Sequence, residues 1–269
     1  ITYNSPYYSF KDFDNINLID PEHVKISVNN YLDGISNNET LNNILAGNSP
    51  LYAGVKNKTP LYIHALISDF YINSAYRIVN SSDTIAKSLI ISLKKMGADL
   101  YNNATVNKII CDDEKAVAIR LNNGELIDSK YIISDIHPET LLDMIDSHLI
   151  RKAYRQRICN MQQTVSTFTV YIKFKDNTVP YLNSNFFKYR SRNVWDCETY
   201  SDNIWPKNYL YMHQCYEKNQ KWAKGAILFA FMKYSDVLRW QGTTVGRRGT
   251  EYETFKTIKA DKLLAALEE

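Results

Sequence analysis

The stretch that most constrains the fold is residues 79–110, which pass from a polar turn through an amphipathic run and a glycine into an apolar extended run. Asp83 suits the first turn of a helix, where the macrodipole is positive, and Gly97 can adopt the left-handed conformation that ends one. A hydroxyl of Ser81 or Ser82 can cap this helix by accepting a bond from a free backbone N–H. The stretch therefore predicts a helix followed directly by a strand. The apolar face of the helix consists of Ile85, Leu89, Leu93 and Met96.

A hairpin signal follows this helix and strand. Asn122-Asn123-Gly124 separates two strand-like runs, and Asn-Gly is a strong two-residue turn signal. A helix is expected to begin at Pro138, since proline is favoured in a first turn. Residues 82–147 are thus predicted to run helix, strand, hairpin, strand, helix. Later apolar runs predict three more strands and a terminal helix, at "TVSTFTVYIKFKD", "NYLYMHQCY", "GAILFAFMKY" and residues 251–269.

Composition is that of a globular protein and excludes several classes. The net charge of +3 is spread along the chain, which argues against a nucleic-acid partner. The four cysteines form no CxxC pair and the five histidines have no ligand-spaced partner, so no metal site is expected. No run of about 18 apolar residues occurs. The chain begins at Ile1 and ends in a strong helix-forming run, so we expect a piece of a longer protein.

Familiar catalytic motifs are missing from the sequence. There is no GxGxxG, P-loop or GxSxG. "GTTVGRRG" precedes a helix and is open to two interpretations, an anion site or a solvated loop. His64 lies beside the apolar stripe of a predicted helix that starts near Pro60. A satisfied, half-buried histidine and a catalytic one both fit that position.

Residues 60–147 resemble the middle of the phytoene desaturase and retinol saturase (all-trans-retinol 13,14-reductase) family of flavoproteins. Two later segments look like the saturase-type branch in particular, "HQCYEKNQKWAKGAILFAFMKY" and "RRGTEYETFKTIKADKLLAALEE". The match is thus scattered over roughly three-quarters of the chain, and the order and spacing of its short motifs carry the resemblance. Where that family has Gly-Gly-Ser, this chain has Asn80-Ser81-Ser82. The other matching positions are Tyr76, Gly97-Ala98, Val106 and Ile109, Asn123-Gly124-Glu125, and Ser134-Asp135-Ile136-His137-Pro138.

The resemblance implies a FAD site shared with segments that this sequence lacks. Val106 would meet the adenine through its main chain, although it can equally be an ordinary strand residue. Ser81 and Ser82 would lie near the flavin. Gly in place of Asn80 and Ser81 would allow a positive φ or close approach to a ligand, so the turn here either only caps the helix or makes a changed contact.

The implied chemistry is hydride transfer between FAD and a carbon–carbon bond of an apolar, isoprenoid, carotenoid or retinoid-like substrate, with NAD(P) as a further candidate cofactor. Such a site needs no constellation of acids and bases, since the cofactor carries the redox step. No catalytic residue is assigned. The substrate-contacting candidates are His64, Phe70, Tyr71 and Tyr76, each of which could instead belong to the core.

We therefore expect an α+β fold: a substrate domain with a mixed or antiparallel sheet and flanking helices, plus an incomplete part of a FAD-binding α/β domain. The expected segments are 1–80, 81–147 and 148–269. This piece alone should retain FAD weakly or not at all. The alternative is a non-catalytic apolar-ligand or lipid-binding module of the same fold. A cytoplasmic location is expected, with peripheral membrane contact and oligomeric state left open.

Overall fold

The computed structural model describes residues 24–73 and 75–269, which form an α+β fold divided into two compact units. Unit 1 joins the described part of residues 1–85 to Thr164–Glu269, and unit 2 is Ala86–Gln163. The first 23 residues of the predicted 1–80 segment lie outside the described residues. None of the helices described has the length and apolar character needed to cross a membrane.

The N-terminal part of unit 1 is helical. Ser27 and Asn38 each cap a helix, because their side chains accept bonds from Asn30 N and Leu41 N, at 3.4 and 3.1 Å. The helices here are α1 (Val28–Ile35), α2 (Glu39–Leu45), a 3₁₀ turn (Ser49–Tyr52) and α3 (Leu61–Asn73). Their buried side chains pack with Val194 and Trp195 from the second half of the chain.

A four-stranded antiparallel sheet forms the rest of unit 1. The predicted strands are present, and one further strand lies between the first and the second of them in the sequence. Its strands are β4 (Ser166–Lys173), β5 (Asn185–Tyr189), β6 (Asn208–His213) and β7 (Gly225–Met232). They lie in the order β4-β7-β6-β5, so the last strand in sequence is placed inside the sheet. That strand is therefore the most buried of the four.

The terminal helix, α7 (Thr250–Glu268), covers one face of this sheet. Leu263 and Ala266 pack with Leu228 and Trp205 in the largest core cluster. Lys259 is also buried, and its Nζ lies 3.2 Å from Asp236 Oδ2 and 4.3 Å from the centroid of the Trp205 ring. A buried ammonium is tolerated here because a carboxylate and an aromatic face replace its lost hydration.

Unit 2 consists of most of one helix, a small sheet and two short helices. The helix α4 (Asp83–Lys95) begins in unit 1 and ends as expected: Gly97 has φ 80°, and Ala98 N–H donates to Leu93 O at 3.0 Å. The other elements are β1 (Val106–Cys111), β2 (Ala116–Leu121), β3 (Leu126–Asp128), α5 (Pro138–Asp143) and α6 (Lys152–Cys159). The sheet order is β1-β2-β3, all antiparallel, so the predicted hairpin is confirmed.

The strand predicted between this hairpin and the next helix is wrong. β3 ends at Asp128, and residues 129–137 contain no strand. A strand requires a neighbour to pair its backbone groups along its length. Here the pairing with β2 ends at Asp128, followed by the bond from Ser129 N–H to Val117 O at 2.9 Å. The side chains of Tyr131 and Ile133 are 87% and 98% exposed.

Helix α4 is amphipathic as predicted, but its apolar face is uncovered. No residue of the helix is buried. Leu89 is 59% exposed, and the following Met96 is 83% exposed. Apolar surface of this extent usually marks a contact with other protein.

Candidate functional site

The candidate site is an aromatic groove of about 870 Å³ that lies wholly within unit 1. Three segments form it: the chain from the end of α3 to residue 79, the loop that leads into β5, and the loop that follows β6. A cavity of this size is typical of sites for small molecules. Its larger apolar side chains are those of Tyr71, Tyr76, Val79, Tyr181, Phe187 and Met212.

Arg77 ties the three segments of the aromatic groove together. One guanidinium nitrogen, Nη1, donates to the carbonyl of His213 at the end of β6. The other, Nη2, donates to Ser184 O at 2.8 Å and Asn185 Oδ1 at 2.7 Å, both next to the start of β5. A planar guanidinium is suited to this role because its donors point in fixed directions. All three acceptors are neutral, so they leave the positive charge of Arg77 unbalanced.

His213 anchors the loop beside Arg77 and is only 1% exposed. Its Nδ1 accepts the backbone N–H of Leu182 at 2.9 Å, so Nδ1 carries no proton. Nε2 therefore carries the ring proton and donates it to Tyr211 Oη at 2.6 Å. Burial, and then the charge of Arg77, lower the pKa of His213. The imidazole is accordingly neutral near pH 7 and acts as a structural anchor.

Two of the four predicted substrate-contacting residues line the aromatic groove. Tyr71 is 47% exposed and Tyr76 is 90% exposed, so each has a free aromatic surface beside the cavity. The charged side chains in the lining are those of Arg77, Glu217 and Lys218. Glu217 already forms an ion pair with Lys224, with 3.5 Å between Oε1 and Nζ. The groove is thus equipped for binding an apolar molecule, and its described lining contains no acid and base paired with each other.

The other two predicted residues do not line the groove. His64 is half-buried on α3, and its Nδ1 lies 2.8 Å from the hydroxyl of Tyr52. Burial lowers the pKa of His64 and raises that of Tyr52. Phe70, next to Tyr71, is 47% exposed on a different face of the helix.

The Asn80-Ser81-Ser82 turn adjoins the aromatic groove. Asn80 N–H donates to Cys215 O at 3.1 Å, and Cys215 is itself a lining residue. Asn80 and Ser81 have φ values of 67° and 78°, the left-handed region that favours glycine. Ser82 directly precedes α4, and its carbonyl accepts Ile85 N–H at 3.0 Å. Two non-glycine residues, Asn80 and Ser81, therefore adopt here a left-handed backbone conformation that glycine would adopt without strain.

Val106, the predicted adenine contact, belongs to unit 2. It is the first residue of β1, which is an edge strand, and its side chain is half-buried. Three residues later, Ile109 N–H donates to Met144 O at 2.9 Å, on the side of β1 away from β2. Val106 thus lies just before the point where the outer side of the strand is covered.

Sequence reasoning missed Arg77 and His213. Arg77 follows Tyr76 directly, but nothing in the local pattern shows that it reaches a carbonyl 136 positions away. His213 was set aside because it has no ligand-spaced partner. β6 is buried at four of its six positions, including His213, without alternation, so the strand pattern gives no signal that would have identified this histidine as an anchor.

The comparisons with known proteins place the chain in no family. It matches no protein-family model, and no curated protein matches it. In the ranges 24–73 and 75–269, no group of three or more histidine, cysteine, aspartate or glutamate side chains could hold a metal ion.

Proposed function

We propose that this chain is the substrate-binding part of a FAD-dependent oxidoreductase that transfers hydride to or from carbon–carbon bonds of an apolar, isoprenoid-like substrate. The resemblance of residues 60–147 to the phytoene desaturase and retinol saturase family is the starting point. The observation that carries the proposal is the backbone of Asn80 and Ser81. Both residues have positive φ at the positions where that family has Gly-Gly, and the same turn adjoins the aromatic groove.

This arrangement supports the proposal for two reasons. A backbone that needs two consecutive left-handed residues is uncommon outside glycine, so its occurrence at the matching position supports the alignment of the motif. A flavin that contacted this turn would also lie at the end of a cavity lined by Tyr71 and Tyr76. The cofactor and the apolar substrate would then come into contact at this end of the cavity, and no other segment of unit 1 would be needed to bring them together.

The residues of unit 2 fit the role proposed for them in holding FAD. Val106 starts an edge strand, so its main chain can be approached by a flat heterocycle from the side away from β2. The uncovered face of α4 and the exposed Tyr131 and Ile133 are consistent with a unit that packs against further protein in a complete flavin domain.

FAD, when bound, would supply the hydride chemistry, with NAD(P) as the proposed electron partner. The chain's own residues would bind and orient the substrate. The aromatic walls of the groove would exclude water from an apolar chain, and the neutral His213 would keep the loop at Leu182 in place through its 2.9 Å bond. No proton transfer is assigned to any residue.

Binding of an apolar polyene to the aromatic groove provides the test of the substrate role. Retinol fluorescence is titrated with the chain and with Tyr71→Ala and Phe70→Ala. These residues are adjacent on α3 and equally exposed, but only Tyr71 lines the groove. Loss of one aromatic contact surface should weaken binding about tenfold in Tyr71→Ala, equivalent to roughly 1.4 kcal/mol.

Phe70→Ala should bind retinol as the unaltered chain does. Equal weakening by both substitutions, or no saturable binding by the unaltered chain, would contradict the assignment of the groove as the substrate site. A circular dichroism spectrum of each variant shows whether α3 is still folded.

A second function is favoured by one observation: the aromatic groove is formed by unit 1 without residues of unit 2. A non-catalytic module that binds apolar ligands or lipids would need nothing more. The two functions differ in flavin content. The oxidoreductase requires bound FAD in the protein expressed from its complete reading frame, and the binding module does not.

A further inference from the structure

We infer that the ligand of the aromatic groove carries a carboxylate at one end, and that Arg77 binds this carboxylate while the aromatic walls hold its apolar body. The inference rests on the proposed function, because it takes the groove as the substrate site. It deepens that function by naming the chemical class of the ligand, an amphipathic apolar acid.

The first support is the charge of Arg77. Its three hydrogen-bond partners are two backbone carbonyls and one amide oxygen, none of which is charged. Across the described parts of the chain, no carboxylate forms an ion pair with it. An arginine that is partly removed from water is usually paired with an acid. The missing negative charge is one that a ligand can provide.

The second support is the position of Arg77 among the other groups of the groove. Among the described residues, two other charged side chains line the cavity, those of Glu217 and Lys218, and Glu217 forms an ion pair with Lys224. The field inside the groove is therefore positive. An anionic ligand is attracted to it, and a cationic one is repelled.

The third support is the contrast between the positive charge of Arg77 and the aromatic lining of the rest of the groove. Tyr71, Tyr76 and Phe187 present aromatic rings to the same cavity that Arg77 lines. Aromatic rings give the groove an apolar contact surface that suits the apolar body of a ligand. A ligand that satisfies both parts must be apolar along its length and anionic at one end.

The amount of charge favours a carboxylate over a phosphate. A single guanidinium balances the single negative charge of a carboxylate. A phosphate monoester carries nearly two negative charges at neutral pH and needs a larger cationic cluster. The donors of Arg77 are also partly used by Ser184, Asn185 and His213, which leaves room for one small anionic group.

The test compares two fluorescent polyenes of the same chain length that differ only at the end: cis-parinaric acid and the corresponding alcohol. Each is titrated with the chain at neutral pH while probe fluorescence is recorded. The acid should bind about tenfold more tightly than the alcohol, because a hydrogen bond to a charged partner contributes that much. In Arg77→Gln the acid should bind no more tightly than the alcohol.

Two further variants separate the charge of Arg77 from its role in holding the loops. Arg77→Lys keeps the charge and should retain part of the preference for the acid. Lys218→Gln removes a charge from the same groove without touching the three hydrogen bonds of Arg77, and should keep the full preference.

Equal affinity of the unaltered chain for acid and alcohol would overturn this inference but leave the proposed function standing, since an apolar substrate without an acidic end would then be bound. Loss of the preference in Lys218→Gln would also overturn it, because Lys218 would then be the anion-binding group. Failure of both probes to bind would overturn the groove as a substrate site and hence both proposals.

Discussion

Replacing Ser81 by glycine should stabilise unit 1. Ser81 has φ 78° in the exposed turn before α4, with no glycine to relieve the left-handed conformation. The turn keeps its backbone bonds in the variant, because Asn80 N–H still donates to Cys215 O and Ser81 O still accepts Thr84 N–H. The substitution therefore changes the backbone strain and little else.

The magnitude follows from two opposing terms. An L-residue in the left-handed region costs roughly 1–2 kcal/mol, which glycine recovers. Glycine also gives the unfolded chain more freedom, which costs about 0.4–1 kcal/mol. Ser81→Gly should thus raise the free energy of unfolding by about 0.5–1 kcal/mol. Asn80→Gly should be close to neutral, since asparagine tolerates positive φ far better than serine does.

Ser82→Gly is the matched control. Ser82 lies next in the chain, is also exposed, and does not have a positive φ. Glycine there relieves no strain and should destabilise by about 0.5 kcal/mol. The two neighbouring serines should therefore respond with opposite signs.

Urea unfolding followed by tryptophan fluorescence measures both effects. All four tryptophans belong to unit 1, which also contains the turn. At a slope of about 2 kcal/mol per M, Ser81→Gly should raise the midpoint by roughly 0.3–0.5 M. A lower midpoint for Ser81→Gly, matching that of Ser82→Gly, would refute the reasoning that the turn has a glycine-type backbone.

Two further predictions concern the packing of unit 1. Lys259→Met should lower the free energy of unfolding by about 3 kcal/mol, because the largely buried carboxylate of Asp236 loses its ammonium partner. Among the described residues, the carboxylate then keeps the bond from the Tyr200 hydroxyl at 2.7 Å. The double variant Lys259→Met/Asp236→Leu removes both members of the ion pair and should recover most of the lost stability in the same urea assay. A double variant as unstable as the single one would contradict the role of the ion pair. The lowered pKa of His213 means that the folded protein resists protonation of this ring, so stability should be constant above about pH 6.5 and fall as the pH drops below it. The protection factor of the Leu182 amide, which corrects for the slower intrinsic exchange at low pH, should fall once the pH drops through the lowered pKa of His213, since protonation of Nδ1 removes its acceptor. A protection factor that stays unchanged after NMR shows His213 to be protonated would contradict the proposed tautomer.

Local patterns were sufficient for much of the fold. The helix that ends at Gly97, the hairpin at Asn123-Gly124 and the terminal helix are determined by capping, turn chemistry and periodicity within a few residues, and all three are present. The order β4-β7-β6-β5 was not predictable in this way, because it depends on pairing between segments far apart in the chain.

The error at residues 129–137 has a related cause. "YIISDI" has the composition of a strand, yet a strand forms only where a neighbour can accept its hydrogen bonds. Composition reports the preference of the segment and does not report whether a partner is present.

The candidate site was predicted in part. Tyr71 and Tyr76 were identified from the resemblance and both line the aromatic groove, whereas Arg77, which holds the groove together, was not. Its acceptors are backbone carbonyls and an amide, which exist in every part of any chain and so leave no specific pattern in the sequence.

The central claim, that the chain belongs to a FAD-dependent oxidoreductase, is tested most directly by the absorption spectrum of the protein expressed from its complete reading frame. We expect the bands of bound flavin, and their bleaching under anaerobic conditions when NAD(P)H is added. We expect the present chain alone to retain little or no FAD. A colourless full-length protein that takes up no added FAD would contradict the claim.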